Sequence, residues 1–158
     1  MIKHRETFNQ WLPALFDGEF EWDFLNPVWH GTKITPMDFD AVVERYGHFL
    51  IFETKKDNKG VDLGQSISLT AMWKKGTTIF QIAGKTAEDI TGYQIYEETE
   101  ATLPENKEVM VGSRPLIPGD AFDVVYQAAR WFCWAQRKPI PSREEWDNRL
   151  WIWDNERN

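Results

Sequence analysis

The feature that most constrains the fold is an apolar run at positions 49–52, Phe-Leu-Ile-Phe, which is followed directly by the acidic residue Glu53. A glycine, Gly47, precedes the run, and residues 38–46 before it alternate in polarity. Because alternation is typical of strands and glycine of turns, the two segments predict a β-hairpin whose second strand is central and covered on both faces. A carboxylate on such a strand is costly unless another group compensates its charge. Glu53 is therefore the first candidate functional residue.

Two carboxylates and one amine are predicted to meet at one end of this hairpin. Asp40 lies early in the first strand and Glu53 near the end of the second, so a two-residue turn around Gly47 would set them side by side. Lys55 follows Glu53 by two residues and therefore points to the same face. Two carboxylates suit a hard divalent cation such as Mg²⁺, which binds phosphate and lowers the pKa of a bound water. A lysine beside them can orient that water or stabilise the developing negative charge, so the trio predicts phosphodiester hydrolysis.

At these residues the chain resembles the PD-(D/E)XK nuclease superfamily, in the branch that contains Holliday-junction-resolvase-like and phage- or repair-associated nucleases. The superfamily pattern is an acid at the start of one strand and Glu-x-Lys at the end of the next apolar strand. Asp40, Glu53 and Lys55 match this pattern, and the resemblance covers roughly residues 5–85. It implies a metal-dependent DNA nuclease in which Asp40 and Glu53 hold Mg²⁺ or Mn²⁺ and Lys55 assists the attacking water. It also implies a mixed central β-sheet flanked by helices, with a restriction-endonuclease-like core, and a homodimer is possible because small members often dimerise.

The resemblance also implies residues that support the site. Several branches place a polar residue on the helix after the Glu-x-Lys strand, and Gln65 occupies that place here. The RecB-like branch adds a tyrosine four residues later, where this chain has Leu69. Some branches add a carboxylate from an N-terminal helix, for which Glu6 is the candidate.

The first metal ligand has two candidates, because Met37 interrupts the Pro-Asp of the superfamily name. Asp40 is preferred, since its spacing to Glu53 fits a tight hairpin. Asp38 then lies on the same face as an auxiliary carboxylate.

The rest of the chain predicts a single α/β domain over residues 1–158, with a Trp-rich helical part at about 119–158. Its clearest helix bears an apolar face made of Phe122, Val125, Tyr126, Ala129, Phe132 and Cys133. The helix before it is expected to bury Leu63, Ile67, Leu69, Met72 and Trp73. The predicted helices span 3–12, 62–74 and 120–136 (the last being the clearest one), and a Ser142/Glu145 capping box opens a final helix. The predicted strands outside the hairpin span 20–24, 77–83, 93–97 and 108–111.

Charge and composition narrow the function classes. The net charge of −7 argues against strong nonspecific binding to nucleic acid, which depends on neutralising phosphates. No apolar run approaches the ~18 residues of a membrane span, and residues 1–6 show no signal-peptide pattern. The single Cys133 excludes a disulfide framework and favours a cytoplasmic protein. The sequence has no Gly-rich phosphate loop, so no nucleotide cofactor is expected.

A second function class remains open. Acidic residues concentrate between positions 86 and 129, and the block at 97–108 is expected to form a solvated hairpin edge. The alternative is therefore a catalytically inactive nuclease-like protein that docks a protein partner through this acidic surface.

Overall fold

The computed structural model describes residues 27–28, 31–32, 37, 39–56 and 60–156. Residues 39–158 form one compact unit. The predicted helix over 3–12, the predicted strand over 20–24, and the candidates Glu6 and Asp38 lie outside the described residues.

Within the described residues, five strands form one mixed sheet in the order β1-β2-β3-β4-β5. Strands β2 and β3 run parallel and the other neighbours run antiparallel. The α/β class with a mixed sheet and flanking helices is thus confirmed. The strands are β1 (Ala41–Arg45), β2 (His48–Lys55), β3 (Thr77–Ala83), β4 (Gly92–Tyr96) and β5 (Ile117–Pro118), and the α-helices are α1 (Leu63–Lys74), α2 (Ala121–Ala135) and α3 (Arg143–Glu156).

Strands β1 and β2 form the predicted hairpin. Its two-residue turn is Tyr46-Gly47, and both residues have positive φ, 51° and 82°. Two positive φ values are the signature of the type I′ turn, whose twist matches that of a hairpin. The turn brings Arg45 opposite His48, and the register continues to the far end of β1. Strand β2 is an interior strand, paired with β1 on one side and β3 on the other, as predicted.

Helix α1 crosses between the parallel strands β2 and β3 and covers one face of the sheet. Asp62 caps it, since its carboxylate accepts a hydrogen bond from the backbone N–H of Gln65 at 2.9 Å. Trp73 is fully buried and its ring lies 5.4 Å from that of Tyr96 on β4. The expectation that Leu63 and Ile67 are buried is wrong, since they are 71% and 55% exposed. The helix presents the stripe of Ser66, Leu69 and Trp73 to the sheet instead.

Helix α2 covers the opposite face. Trp131 and Ala135 pack on Leu50 and Phe80, and Val124 packs against Ile82 and Tyr93. The apolar face predicted for this helix is wrong in part, because three of its six members are exposed and the other three are partly buried. The sheet covers only the stripe at positions 124, 131 and 135, whereas the apolar surface of the helix is wider. The exposed residues are Phe122, Val125 and Phe132.

The segment between β4 and β5 corrects two expectations. No strand forms at 108–111: the N–H of Val109 donates to the carbonyl of Asn106, and that of Val111 donates to Thr70 Oγ1. These backbone groups therefore bond to a turn and a helix, not to a neighbouring strand. The acidic block is not a hairpin edge either, since it folds into short 3₁₀ turns at Glu98–Glu100 and Pro104–Asn106.

The capping box that opens α3 is confirmed. The N–H of Ser142 donates to the carboxylate of Glu145 at 2.8 Å, and the N–H of Glu145 donates to Ser142 Oγ at 3.2 Å. Among the helices that the structure describes, none combines the length and the apolar character that a membrane crossing requires.

Candidate active site

Glu53 lies near the end of central strand β2, on the face that α1 covers, and only 3% of its surface is exposed. Its Oε1 accepts two hydrogen bonds, from Lys55 Nζ at 3.0 Å and from Gln65 Nε2 at 2.9 Å. No described residue forms a hydrogen bond or an ion pair with Oε2 of Glu53. The structure therefore brings together three of the residues that the sequence singles out, around one buried carboxylate.

Local structure explains why these three side chains meet. Glu53 and Lys55 share a face because strand side chains alternate. Gln65 lies in the first turn of α1, which Asp62 caps after the short loop that leaves β2. The start of α1 therefore lies over the end of the strand, and the amide of Gln65 can reach the carboxylate. Lys56, one residue after Lys55, is exposed to solvent.

Asp40 lies at the same end of the hairpin. It precedes β1 by one residue, and the register that pairs Ala41 with Phe52 puts Asp40 opposite Glu53 when extended by one position. Its Oδ2 accepts from the backbone N–H and from Oγ1 of Thr54, each at 2.6 Å. Among the described residues, only Thr54 bonds this carboxylate. Asp40 is exposed, and no described residue donates a hydrogen bond to its Oδ1.

Gln81 is a residue of this neighbourhood that the sequence reasoning missed. It lies on β3 directly beside Glu53 in the parallel register, and it is 5% exposed. Its Oε1 is buried and has no hydrogen-bond partner among the described residues, and the same is true of Gln65 Oε1. The signal in the sequence is an amide in the middle of the apolar strand over 77–83, which resembles the signal that drew attention to Glu53.

The donor set fits a hard divalent cation. Carboxylate and amide oxygens are the protein ligands that Mg²⁺ and similar cations take, and both occur here beside each other. Two of the amide oxygens are buried without a donor, and a cation would satisfy such acceptors. The described residues contain no group of three or more His, Cys, Asp or Glu side chains arranged for a metal. An ion here would therefore depend on Asp40, Glu53, the amides and water.

A scan of protein-family models finds no match to this chain, and searches of curated proteins and of solved structures find none that is significantly similar. The resemblance to the PD-(D/E)XK superfamily therefore depends on the residues of the chain themselves.

Proposed function

We propose that the protein is a metal-dependent nuclease that hydrolyses phosphodiester bonds in DNA, built on a restriction-endonuclease-like core. In this proposal Asp40 and Glu53 hold Mg²⁺ or Mn²⁺, and Lys55 serves the attacking water. The observation that carries the proposal is the buried carboxylate of Glu53, which has an ammonium at 3.0 Å and a helix-borne amide at 2.9 Å. A purely structural strand end has no need of such a group, because burying a carboxylate is costly.

The order of elements also supports the proposal. An antiparallel hairpin is followed by a crossover helix and then by a strand parallel to the Glu-x-Lys strand β2. The resemblance requires the helix after that strand to lie near the site, and Gln65 of α1 contacts Glu53.

The roles follow from the positions of the groups. A divalent cation bound at the carboxylates would supply Lewis acidity, lowering the pKa of a water and neutralising charge on the phosphate. Asp40 stays exposed while Thr54 orients it, so it can contribute an oxygen from the solvent side. Lys55 is about a quarter exposed along its side chain (23%) and can donate to a water or to a phosphate oxygen. Gln65 restrains the orientation of the Glu53 carboxylate through its hydrogen bond.

The test uses the purified full chain with linear, supercoiled and branched DNA, in Mg²⁺, Mn²⁺ or EDTA. Metal-dependent cleavage that disappears in Asp40→Asn is the expected result. Absence of cleavage on every substrate with both metals would contradict the proposal and favour the inactive binding protein. A homodimer stays a prediction that sedimentation of the same sample can check.

The acidic segment disfavours the docking alternative. Glu100 forms an ion pair with Arg114 at 2.9 Å, and Glu98 Oε1 lies in hydrogen-bond contact with His48 Nδ1 at 3.0 Å. Two carboxylates in the block at 97–108 are thus engaged by side chains of the chain itself. The charge of Glu100 is offset, so the block offers less charge to a partner than the sequence alone suggests.

A further inference from the structure

A row of polar side chains crosses the sheet on the face that α1 covers. Glu53 of β2 lies beside Gln81 of β3, and Gln81 lies beside Gln94 of β4. The side chains that flank Gln81 along its own strand on this face, Ile79 and Ala83, are apolar and buried. Glu53 and Gln81 are buried and Gln94 is partly buried, so the carboxylate and the middle amide of the row need partners to offset their burial.

The members of the row differ in how they are satisfied. Gln94 donates its Nε2–H to the carbonyl of Pro115 at 2.7 Å. Glu53 accepts from Lys55 and Gln65. Gln81, which lies between them, has a buried Oε1 that accepts from no group of the described chain. Buried polar atoms are nearly always paired, and each exception calls for a physical explanation.

The partner that Gln81 Oε1 lacks has to suit both an oxygen acceptor and a nearby carboxylate. Gln65 Oε1, on the amide that contacts Glu53, is a second buried acceptor that receives no hydrogen bond from a described residue. Gln65 contacts Glu53, and Gln81 is the neighbour of Glu53 in the register of β2 and β3. A divalent cation can satisfy several such oxygens together.

The geometry of the sheet allows the sharing of one cation. Neighbouring strands lie about 4.8 Å apart, so side chains at facing positions start at nearly that separation. Two oxygens that each bind Mg²⁺ at about 2.1 Å lie at most about 4.2 Å from one another. Side chains in register on β2 and β3 can therefore close on one ion by small torsional changes, without moving the backbone.

We propose that Gln81 is a further ligand of the cation site, binding the divalent ion through Oε1 beside Glu53. This inference rests on the proposed function, because it needs the same ion. In this proposal Gln81 supplies a neutral ligand from β3, the strand after the crossover helix α1. Its amide lies on the interior side of the site, opposite the exposed carboxylate of Asp40. The cation would then lie between an interior amide and an exterior acid.

The test compares metal binding with stability in the full chain. Mg²⁺ and Mn²⁺ are titrated by calorimetry into wild type, Gln81→Met, Gln81→Glu and Glu53→Gln, and each protein is melted in EDTA and in Mg²⁺. Gln94→Met is the matched control, because it makes the same substitution one strand away, where the amide has a protein partner.

For Gln81→Met we expect an affinity loss of about 10-fold or more, the scale found when groups that support a metal are removed. Its melting temperature in EDTA should not fall, since the change removes an acceptor without a donor. Gln94→Met should show the reverse: unchanged affinity and a lower melting temperature. Gln81→Glu should melt lower in EDTA, because two carboxylates then adjoin. Mg²⁺ should raise its melting temperature more than that of wild type, since binding to the native state stabilises it.

Two patterns would overturn the inference, and they differ. If Glu53→Gln loses the metal while Gln81→Met binds it as wild type does, Gln81 is no ligand, but the proposed function stands. If wild type binds neither metal, the proposed function fails and the inference fails with it. Should Gln81→Met not fold, Gln81→Glu decides alone, and an affinity no higher than that of wild type counts against the inference.

Discussion

The ammonium of Lys55 lies 3.0 Å from Oε1 of Glu53, the same oxygen that Gln65 contacts. Strand alternation puts the two side chains on one face, but the ion pair shows that the charge of the buried carboxylate is already compensated without a metal. Lys55 can therefore act both as a counter-ion of Glu53 and as a donor toward a substrate. Variants that change one of these roles at a time can separate them.

The first prediction concerns Lys55 in catalysis. If its ammonium serves the water or the developing charge, the benefit arises mainly in the transition state. Lys55→Ala should then lower turnover by roughly 10²–10³-fold, as for deletion of one electrostatic stabiliser. Affinity for DNA in Ca²⁺ should fall far less, because one charge contributes a small share of phosphate binding. Single-turnover cleavage and equilibrium binding measure the two effects.

Lys56 supplies the control for this prediction, because it is exposed and lies just past the end of β2. Lys56→Ala should cut DNA nearly as wild type does. Lys55→Arg should restore only part of the activity, because a planar guanidinium does not replace a compact ammonium. Equal losses at both lysines would mean that Lys55 and Lys56 only attract phosphate.

The second prediction concerns Glu53. Glu53→Gln should abolish most Mg²⁺ binding, since the substitution removes a charged oxygen ligand. It should also lower the metal-free stability modestly, by about 1 kcal/mol, because Lys55 loses its anionic partner but is exposed enough for water to solvate it. Calorimetry and urea denaturation in EDTA measure the two effects. An unchanged Mg²⁺ titration would contradict the ligand assignment.

The third prediction separates the two tasks of Asp40. Asp40→Asn keeps an oxygen that can accept from the N–H of Thr54, so the fold should persist while metal affinity falls. Asp40→Ala should in addition destabilise the protein by about 1 kcal/mol, the typical net value of a lost hydrogen bond. Thr54→Val is the control, since it removes only the hydroxyl donor. Similar metal affinity for wild type and Asp40→Asn would exclude Asp40 as a ligand.

The fourth prediction concerns acid stability at the junction of α2 and α3. Hydrogen bonding from the backbone N–H of Asp120, and then from the Arg143 guanidinium at 2.7 Å, lowers the pKa of Asp123. A carboxyl whose folded pKa is depressed contributes stability that is present above its unfolded pKa. That stability is lost as the pH falls through the folded value. The contribution should therefore disappear below about pH 4, the ordinary range of an aspartate.

Asp123→Asn tests this contribution. Its unfolding free energy should be lower than that of wild type at pH 7, and the difference should shrink as the pH drops below 4. Urea denaturation at several pH values measures it, with Asp147→Asn as the control on the exposed side of the same arginine. A gap between wild type and Asp123→Asn that is independent of pH would show that the charge of Asp123 does not stabilise the junction.

The sequence by itself determined the hairpin and the faces of its strands. Period-two alternation, the apolar run at 49–52 and the Tyr46-Gly47 turn are local features, and together they set which residues of β1 and β2 oppose each other. The grouping of Glu53 with Lys55 follows from the same alternation. For these residues, neighbours in space are near neighbours in sequence.

Only the tertiary structure decided which residue of β3 lies beside Glu53. The parallel pairing of β2 with β3 joins segments separated by a whole helix, so its register depends on how α1 packs on the sheet and not on any turn. That packing brings Gln81 next to Glu53. The packing of α1 and of α2 on their faces of the sheet leaves Leu63 and Phe122 exposed, because the side of each helix that is buried depends on the surface it meets, and not on the full width of its apolar stripe.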